Sequence, residues 1–177
     1  TPGVYNITYT ATDEASNETI ESIQITVMDY QVNSSFTETF DTIGTASSSY
    51  TSSSFTGVNG LVWSYINSRN DELTIDGRSI TFGKDATAQI EVSFDGGISG
   101  FSFETKNAYT GDADREISVY INDDLVASFL SQNDITLFET SNLTYTGEVT
   151  FRIENTHGQR VTIDNITIEI QNKINKW

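Results

Sequence analysis

Residues 88–97 are Ala-Gln-Ile-Glu-Val-Ser-Phe-Asp-Gly-Gly, and this stretch decides the fold class. Its apolar side chains occupy every second position, the period of a strand with one buried face, and Asp-Gly-Gly is typical of a tight turn. The same alternation recurs in residues 117–121 and 149–153. No stretch keeps a helical period for more than about two turns. Short, half-buried strands separated by turn residues predict an all-β chain, folded as an antiparallel β-sandwich or jelly roll.

The same criteria predict a series of short strands, over residues 37–40, 61–66, 79–82, 88–94, 100–105, 116–121, 125–129, 136–139, 148–154 and 160–170. The last of them breaks the alternation, because its apolar residues change parity after Ile163. A bulge at Asp164 and Asn165 would return Ile166 and the isoleucines that follow it to the core. The Ser/Thr-rich run of residues 45–56 is compositionally simple, and we expect a solvated loop there.

The composition excludes several classes of function. The chain has 177 residues, of which 36% are hydrophobic, enough for a sizeable core. Its net charge is −16, and no Lys or Arg precedes Arg69. We therefore expect no direct nucleic-acid binding, whereas divalent cations and neutral polymers suit an acidic, oxygen-rich surface. There is no cysteine, which excludes disulfides and thiolate chemistry. No run approaches the roughly 20 apolar residues of a membrane span, so we expect no membrane insertion.

The first 29 residues predict a β-hairpin, because two alternating segments flank a polar turn at residues 13–17. Residues 2–17 (PGVYNITYTATDEASN) resemble the closing hairpin of bacterial immunoglobulin-like surface repeats, with Ser16 where that family usually has glycine. The resemblance implies that the rest of the Ig-like domain is missing. A lone hairpin with an apolar face and open edges invites association, so we expect it to form a dimer with the hairpin of a second chain.

The remainder of the chain resembles a second family. Residues 38–41 (ETFD) and 161–166 (VTIDNI) resemble the opening and closing segments of galactose-binding-like jelly rolls, the fold of many carbohydrate-binding modules. Residues 55–71, with FTG, Trp63 and SRND, resemble more narrowly an uncharacterised jelly-roll module attached to secreted bacterial nucleases and surface proteins. The resemblance implies an exported bacterial protein, extracellular or at the cell surface. The segments would be a hairpin (1–29), a linker (30–35), a jelly roll (36–171) and a tail (172–177).

The jelly-roll resemblance also implies a structural calcium ion. In these modules the first and last strands lie side by side, and an early acid and a late aspartate often hold calcium together with backbone carbonyls. By position the ligands would be Asp41 and Asp164, with Glu38 as a further candidate. Calcium takes about six to eight oxygen ligands, so carbonyls or water would complete the shell. In the alternative interpretation, Asp164 stabilises the bulge and Asp41 is a solvated turn acid.

A sugar-binding surface needs an aromatic ring for the apolar face of the sugar and planar polar groups for its hydroxyls. The candidate ligand-binding residues are Trp63, Tyr65, Arg69, Tyr109 and Arg115. Residues 107–115 have the Tyr, Gly, carboxylates and Arg of an adaptable binding loop. In a purely structural interpretation, the rings of Trp63 and Tyr65 belong to the core and each arginine pairs with an acid close by in sequence.

No constellation of residues indicates an enzyme. The only histidine, His157, lies in a segment that predicts a hairpin turn, and no Ser-His-Asp or metalloprotease motif surrounds it. We therefore predict a non-catalytic module that binds polysaccharide or a cell-surface glycan and tethers a larger exported protein. The alternative is a structural or adhesive spacer of a surface protein, with no small-molecule ligand.

Overall fold

The computed structural model describes residues 3–27, 34–71, 75–110 and 115–171. Every regular element within these ranges is a β-strand, so no described segment offers a helix of the length and hydrophobicity of a bilayer span. The chain divides into two compact units, an N-terminal hairpin and a larger sandwich. The predicted all-β, jelly-roll class is therefore confirmed.

The hairpin pairs β1 (Gly3–Thr12) with β2 (Glu18–Val27), antiparallel and in register along their whole length. The Asp13 carboxylate holds the turn, because it accepts a 2.8 Å hydrogen bond from the backbone N–H of Asn17 and another from its side chain. These bonds lower the pKa of Asp13. Ser16 has a φ of 64°, the left-handed conformation in which glycine is favoured.

The described residues of the sandwich unit form eleven strands. They are β3 (Ser35–Glu38), β4 (Thr51–Thr56), β5 (Val62–Arg69), β6 (Ile80–Phe82), β7 (Gln89–Asp95), β8 (Ile98–Asn107), β9 (Glu116–Ile121), β10 (Asp124–Leu130), β11 (Thr136–Thr140), β12 (Glu148–Asn155) and β13 (Val161–Ile170). The hydrogen-bonded order is β10-β9-β12-β7-β5-β6-β13-β8-β11, with β4 added on β5 and β3 on β13. The short strand β6 connects the two halves, because it pairs with both β5 and β13.

The two halves face each other across one core. The rings of Phe101 in β8 and Phe151 in β12 meet with their centroids 5.2 Å apart, and those of Phe36 in β3 and Phe94 in β7 with theirs 5.6 Å apart. The apolar residues of the 88–94 stretch are all at most 6% exposed, so the alternation seen in the sequence corresponds to burial. Contacts between the inner faces of two strand layers define a sandwich.

Strand β13 contains the predicted bulge. Its register against β8 shifts by one residue between Asp164 and Thr167. Asn165 lies inside this shift and has a φ of 50°. Ile163 and Ile166 are consequently both fully buried, although an unbroken strand would turn them to opposite faces. The bulge prediction is confirmed, and it leaves Asp164 with a fully buried side chain.

The loop expected at residues 45–56 is wrong in its second half. Residues 51–56 form strand β4, which pairs antiparallel with β5. Most side chains of β4 are exposed, and only Phe55 packs against the core. Backbone hydrogen bonds to β5 hold β4 in place, so β4 does not need apolar residues at every second position. Its composition is therefore like that of a loop.

Candidate functional site

Aromatic and arginine side chains come together where several strands of the sandwich begin or end. Tyr50 precedes β4, Arg69 ends β5, Tyr109 follows β8, and Arg115 and Arg160 precede β9 and β13. The start of β4 pairs with the end of β5, and the start of β13 pairs with the end of β8. We call these five residues the arginine–tyrosine cluster.

The Arg160 guanidinium contacts both tyrosine rings of the cluster. Its carbon lies 5.1 Å from the ring centroid of Tyr50 and 5.5 Å from that of Tyr109. The guanidinium of Arg69 lies 5.4 Å from the Tyr50 centroid. Arg115 donates a 2.9 Å hydrogen bond from Nη1 to the backbone carbonyl of Arg160. Each guanidinium–ring contact is worth about 0.5–2 kcal/mol, so the rings hold the cations in place.

The arginines of the cluster differ in their partners. Arg69 forms a two-pronged ion pair with Asp71, with a 2.8 Å bond from Nη2, and these bonds raise the pKa of Arg69. Arg115 is only 5% exposed, and burial lowers its pKa. Within the described ranges, neither Arg115 nor Arg160 has a carboxylate partner. The Nε atoms of both are buried without a hydrogen-bond partner.

The cluster meets solvent at Tyr109, whose side chain is 42% exposed. Tyr50 is more enclosed, and burial raises the pKa of its hydroxyl although the charge of Arg160 acts against this. The arrangement therefore presents one accessible ring backed by guanidinium groups, the combination that the sequence suggested for a sugar site.

Three of the five predicted ligand-binding residues belong to this cluster: Arg69, Tyr109 and Arg115. Trp63 and Tyr65 do not join them. Trp63 is fully buried, with its ring 6.3 Å from that of Phe40, and Tyr65 is partly buried against the core. Their rings follow the alternation of β5 and serve the packing of the sandwich.

Sequence reasoning missed Tyr50 and Arg160. Tyr50 lies in the Ser/Thr-rich run that predicted a loop, and it is the only aromatic residue between 41 and 54. Arg160 was assigned to the first position of the last strand. An isolated aromatic in a polar run and a cation directly after a turn are the signals that could have found them.

A second polar group consists of the three predicted calcium ligands. Asp164 is fully buried and accepts hydrogen bonds from the N–H of Asp76 at 3.1 Å and the hydroxyl of Ser79 at 2.9 Å. Glu38 is also fully buried and accepts from the N–H of Phe40 at 2.8 Å. The bulge of β13 and the end of β3 hold these two side chains, because Glu38 pairs with Ile166.

Asp41 is exposed, and its negative charge acts on both Glu38 and Asp164. Its carboxylate accepts a 3.0 Å bond from the N–H of Arg78. Burial raises the pKa of Asp164 to about 6, and the negative charge of Asp41 adds to this. Burial also raises the pKa of Glu38, again with Asp41 contributing. We call Glu38, Asp41 and Asp164 the carboxylate group.

The carboxylate group has no cationic side chain as an ion-pair partner within the described ranges. Each carboxylate already accepts hydrogen bonds, but its oxygens have further lone pairs that a hard cation could use. Among the described residues, no three Asp, Glu or His side chains form a group that could hold a metal ion, and the carboxylate group is no exception. Backbone carbonyls and water would therefore have to supply most of the ligands. Calcium prefers oxygen ligands that carry negative charge, and carboxylates are ligands of this type.

Comparison with solved structures identifies the fold as that of carbohydrate-binding modules. The CBM36-1 domain of a multidomain xylanase from the hindgut metagenome of Trinervitermes trinervoides aligns with a TM-score of 0.51 at 10% identity, over 76% of this chain and 96% of that one. The CBM22-1–GH10 modules of a Clostridium thermocellum endo-1,4-β-D-xylanase, complexed with xylohexaose, align with a TM-score of 0.54 at 14% identity. That alignment covers 82% of this chain and 29% of the xylanase chain.

No protein-family model matches the chain, and no curated protein matches it. At such low identity the structural similarity defines a jelly-roll fold and carries no binding residue from one protein to another.

Proposed function

We propose that residues 36–171 form a non-catalytic carbohydrate-binding module of an exported protein, and that the arginine–tyrosine cluster is its sugar-binding site. The observation that carries the proposal is the half-exposed ring of Tyr109 beside the Arg160 guanidinium. Such a ring takes the apolar face of a sugar, while guanidinium N–H groups donate to its oxygens. The modules with a similar fold support the proposal, since the second was solved with xylohexaose.

Isothermal titration calorimetry against a panel of soluble polysaccharides tests this proposal. Tyr109→Ala should weaken binding about fivefold or more, because the stacked ring is lost, while the melting temperature should change little. Tyr120→Ala is a matched control, since Tyr120 lies under the Arg152 guanidinium at 4.8 Å, outside the cluster. Equal loss in both variants, or no binding by the unmodified protein, would contradict the proposal.

A structural calcium ion at the carboxylate group is a second part of the proposal. Asp164 and Asp41 repel each other, and a divalent cation between them would replace this repulsion with attraction. Asp164 sits in β13 and Asp41 follows β3, so the ion would join the last strand to the first. Its role would be to stabilise the sandwich.

We further propose that the chain is part of an exported, multidomain protein. The hairpin would be the end of an immunoglobulin-like repeat, as its sequence and its left-handed Ser16 suggest. The boundaries at residues 29, 35 and 171 belong to this proposal. Residues 28–33 and 172–177, which include most of the predicted linker and the whole tail, lie outside the described residues.

One observation favours a second candidate function, a structural spacer without a ligand. Trp63 is the largest aromatic side chain among the predicted ligand residues, and it is fully buried. A spacer needs packing residues of this kind and no exposed platform. The calorimetric panel separates the two candidates, because a spacer would bind no sugar. Tyr109→Ala would then produce no change in the titration.

A further inference from the structure

We propose that the arginine–tyrosine cluster recognises a carboxylate-bearing sugar, a uronic-acid residue of an acidic polysaccharide. This inference rests on the proposed function and names the ligand class of the same site. It follows from the distribution of charge, from the unsatisfied donors of the cluster and from a comparison with another arginine of this chain.

The cluster concentrates positive charge in a very acidic chain. The protein has 25 acidic residues and only nine lysines and arginines, yet Arg69, Arg115 and Arg160 lie together. Among the described residues, Asp71 is the one acid paired with any of them. The cluster therefore brings three of the nine cationic side chains of the protein near a single anionic ligand.

Arg152 is an arginine outside the cluster that also stacks on a tyrosine ring. Its guanidinium lies over the ring of Tyr120, and it contacts three carboxylates: Glu91 at 3.5 Å, Asp123 at 2.8 Å and Glu154 at 2.6 Å. Arg160 stacks on two rings and has no carboxylate among the described residues. Among the residues that the structure describes, Arg160 therefore has no counterpart to the carboxylates that surround Arg152.

The unpartnered atoms of the cluster are hydrogen-bond donors. They are Nε of Arg160 and Nε of the nearly buried Arg115. Buried polar groups without a partner are uncommon and costly, at about 1–3 kcal/mol each. A carboxylate supplies acceptors only, and its two oxygens match the planar fork of a guanidinium.

Stacking and charge together define the ligand. A uronic acid carries its carboxylate directly on the sugar ring, so a ring placed on Tyr109 brings the acid towards the Arg160 guanidinium. Tyr109 supplies the exposed face of the cluster, and Arg160 lies 5.5 Å from its centroid. A neutral sugar would use the same ring and leave the donors unsatisfied.

The test compares four probes by calorimetry: hexagalacturonate, its methyl ester, xylohexaose and dextran sulfate. We expect hexagalacturonate to bind at least about tenfold tighter than its ester, the effect of one charge-assisted pair. Arg160→Gln should remove this preference, and Arg160→Lys should restore part of it, because lysine keeps the charge and loses the fork. Arg152→Gln is the matched control and should leave the preference intact. Thermal melts establish that each variant is folded.

Each outcome separates the inference from the proposed function. Equal binding of acid, ester and xylohexaose would leave the carbohydrate-binding proposal standing and overturn the uronate inference. An unchanged preference in folded Arg160→Gln would also overturn it. If dextran sulfate competes as well as hexagalacturonate, the cluster is a general anion site and the carboxylate specificity is wrong. If no sugar binds, the proposed function itself fails.

Discussion

At the scale of single residues, Asp164 has the most consequential environment in the described chain. The bulge of β13 carries its carboxylate into the interior, where it accepts bonds from Asp76, Ser79 and Asn165. Those bonds compensate part of the loss of hydration, but burial still dominates and raises the pKa of Asp164. The ionised group therefore opposes folding.

We predict a measurable dependence of stability on pH from Asp164. Its pKa rises from 3.8 to about 6 on folding, so the protonated form favours the folded state. This stabilisation is complete below about pH 4 and is lost as the pH rises through 6. It amounts to roughly 2 kcal/mol after allowance for screening. In calcium-free urea unfolding, the free-energy difference between wild type and Asp164→Asn should change over this window. A free-energy difference that stays constant from pH 4 to 7 would contradict this prediction. The control is Asp134→Asn at an exposed site, for which no such change is expected.

Calcium should act against that dependence, because a bound cation favours the ionised carboxylate. At pH 7 we predict that a chelator lowers the melting temperature by several degrees, as expected when a ligand of the folded state is removed. Asp164→Ala should be insensitive to the chelator, whereas Asp134→Ala should respond as the wild type does. An identical wild-type melt with and without chelator would show that the carboxylate group does not bind calcium.

The residue types of the arginine–tyrosine cluster could be predicted, but its membership could not. Arg69, Tyr109 and Arg115 stand in or beside predicted loops, where polar and aromatic side chains are free to meet a ligand. The register of a strand decides whether an aromatic ring in it faces the core or the solvent. In β5 the register turns Trp63 towards the core, where it is fully buried. Arg160 joined the cluster only through pairing of β13 with β8, a contact that no local pattern reveals.

At the scale of elements, the bulge of β13 depends on the unusual backbone of Asn165. Its φ of 50° lies in the left-handed region, where asparagine and glycine are tolerated and β-branched residues are strained. Its side chain also donates a 2.7 Å bond to Glu104. The bulge therefore combines one backbone requirement with one side-chain bond.

Two substitutions separate these contributions. Asn165→Gly should cost about 1 kcal/mol in urea unfolding, since it loses the bond to Glu104 and keeps the backbone conformation. Asn165→Val should cost about 2 kcal/mol more than Asn165→Gly, because a β-branched side chain strains the left-handed backbone. Equal stability of the valine and glycine variants would show that the bulge rearranges without cost.

The elements that could be predicted are those with one buried face. Strands β7, β9 and β12 alternate, and their inner residues are buried. Strand β4 could not be predicted, because Thr and Ser side chains point to solvent along most of its length. The parity change in β13 predicted a bulge because only one extra residue could bury isoleucines on both sides of it.

At the scale of the whole molecule, the hairpin unit has an apolar face of its own. Cross-strand pairing places Ile7 opposite Ile23, on the same face as Ile25, and all three side chains are exposed. The opposite face is mostly polar, with Thr8 bonded to Ser22 at 3.1 Å, and its two apolar residues are Val4 and Ile20. A two-stranded hairpin is marginally stable in water, so its apolar face needs a partner.

We propose that the partner is the hairpin of a second chain, packed face to face and antiparallel. The hairpin has no basic residue, and its acids lie in the turn and in the half of β2 next to it, at Asp13, Glu14, Glu18 and Glu21. Antiparallel packing of ten-residue strands separates the two turns by roughly 30 Å, beyond the screening length of about 8 Å. Light scattering should therefore show a dimer that becomes a monomer in Ile23→Lys and after deletion of residues 1–33. Thr8→Lys, on the polar face, should stay dimeric, because it leaves the isoleucines untouched. A monomeric wild type at high micromolar concentration would contradict the proposal, and so would a dimer that survives the deletion.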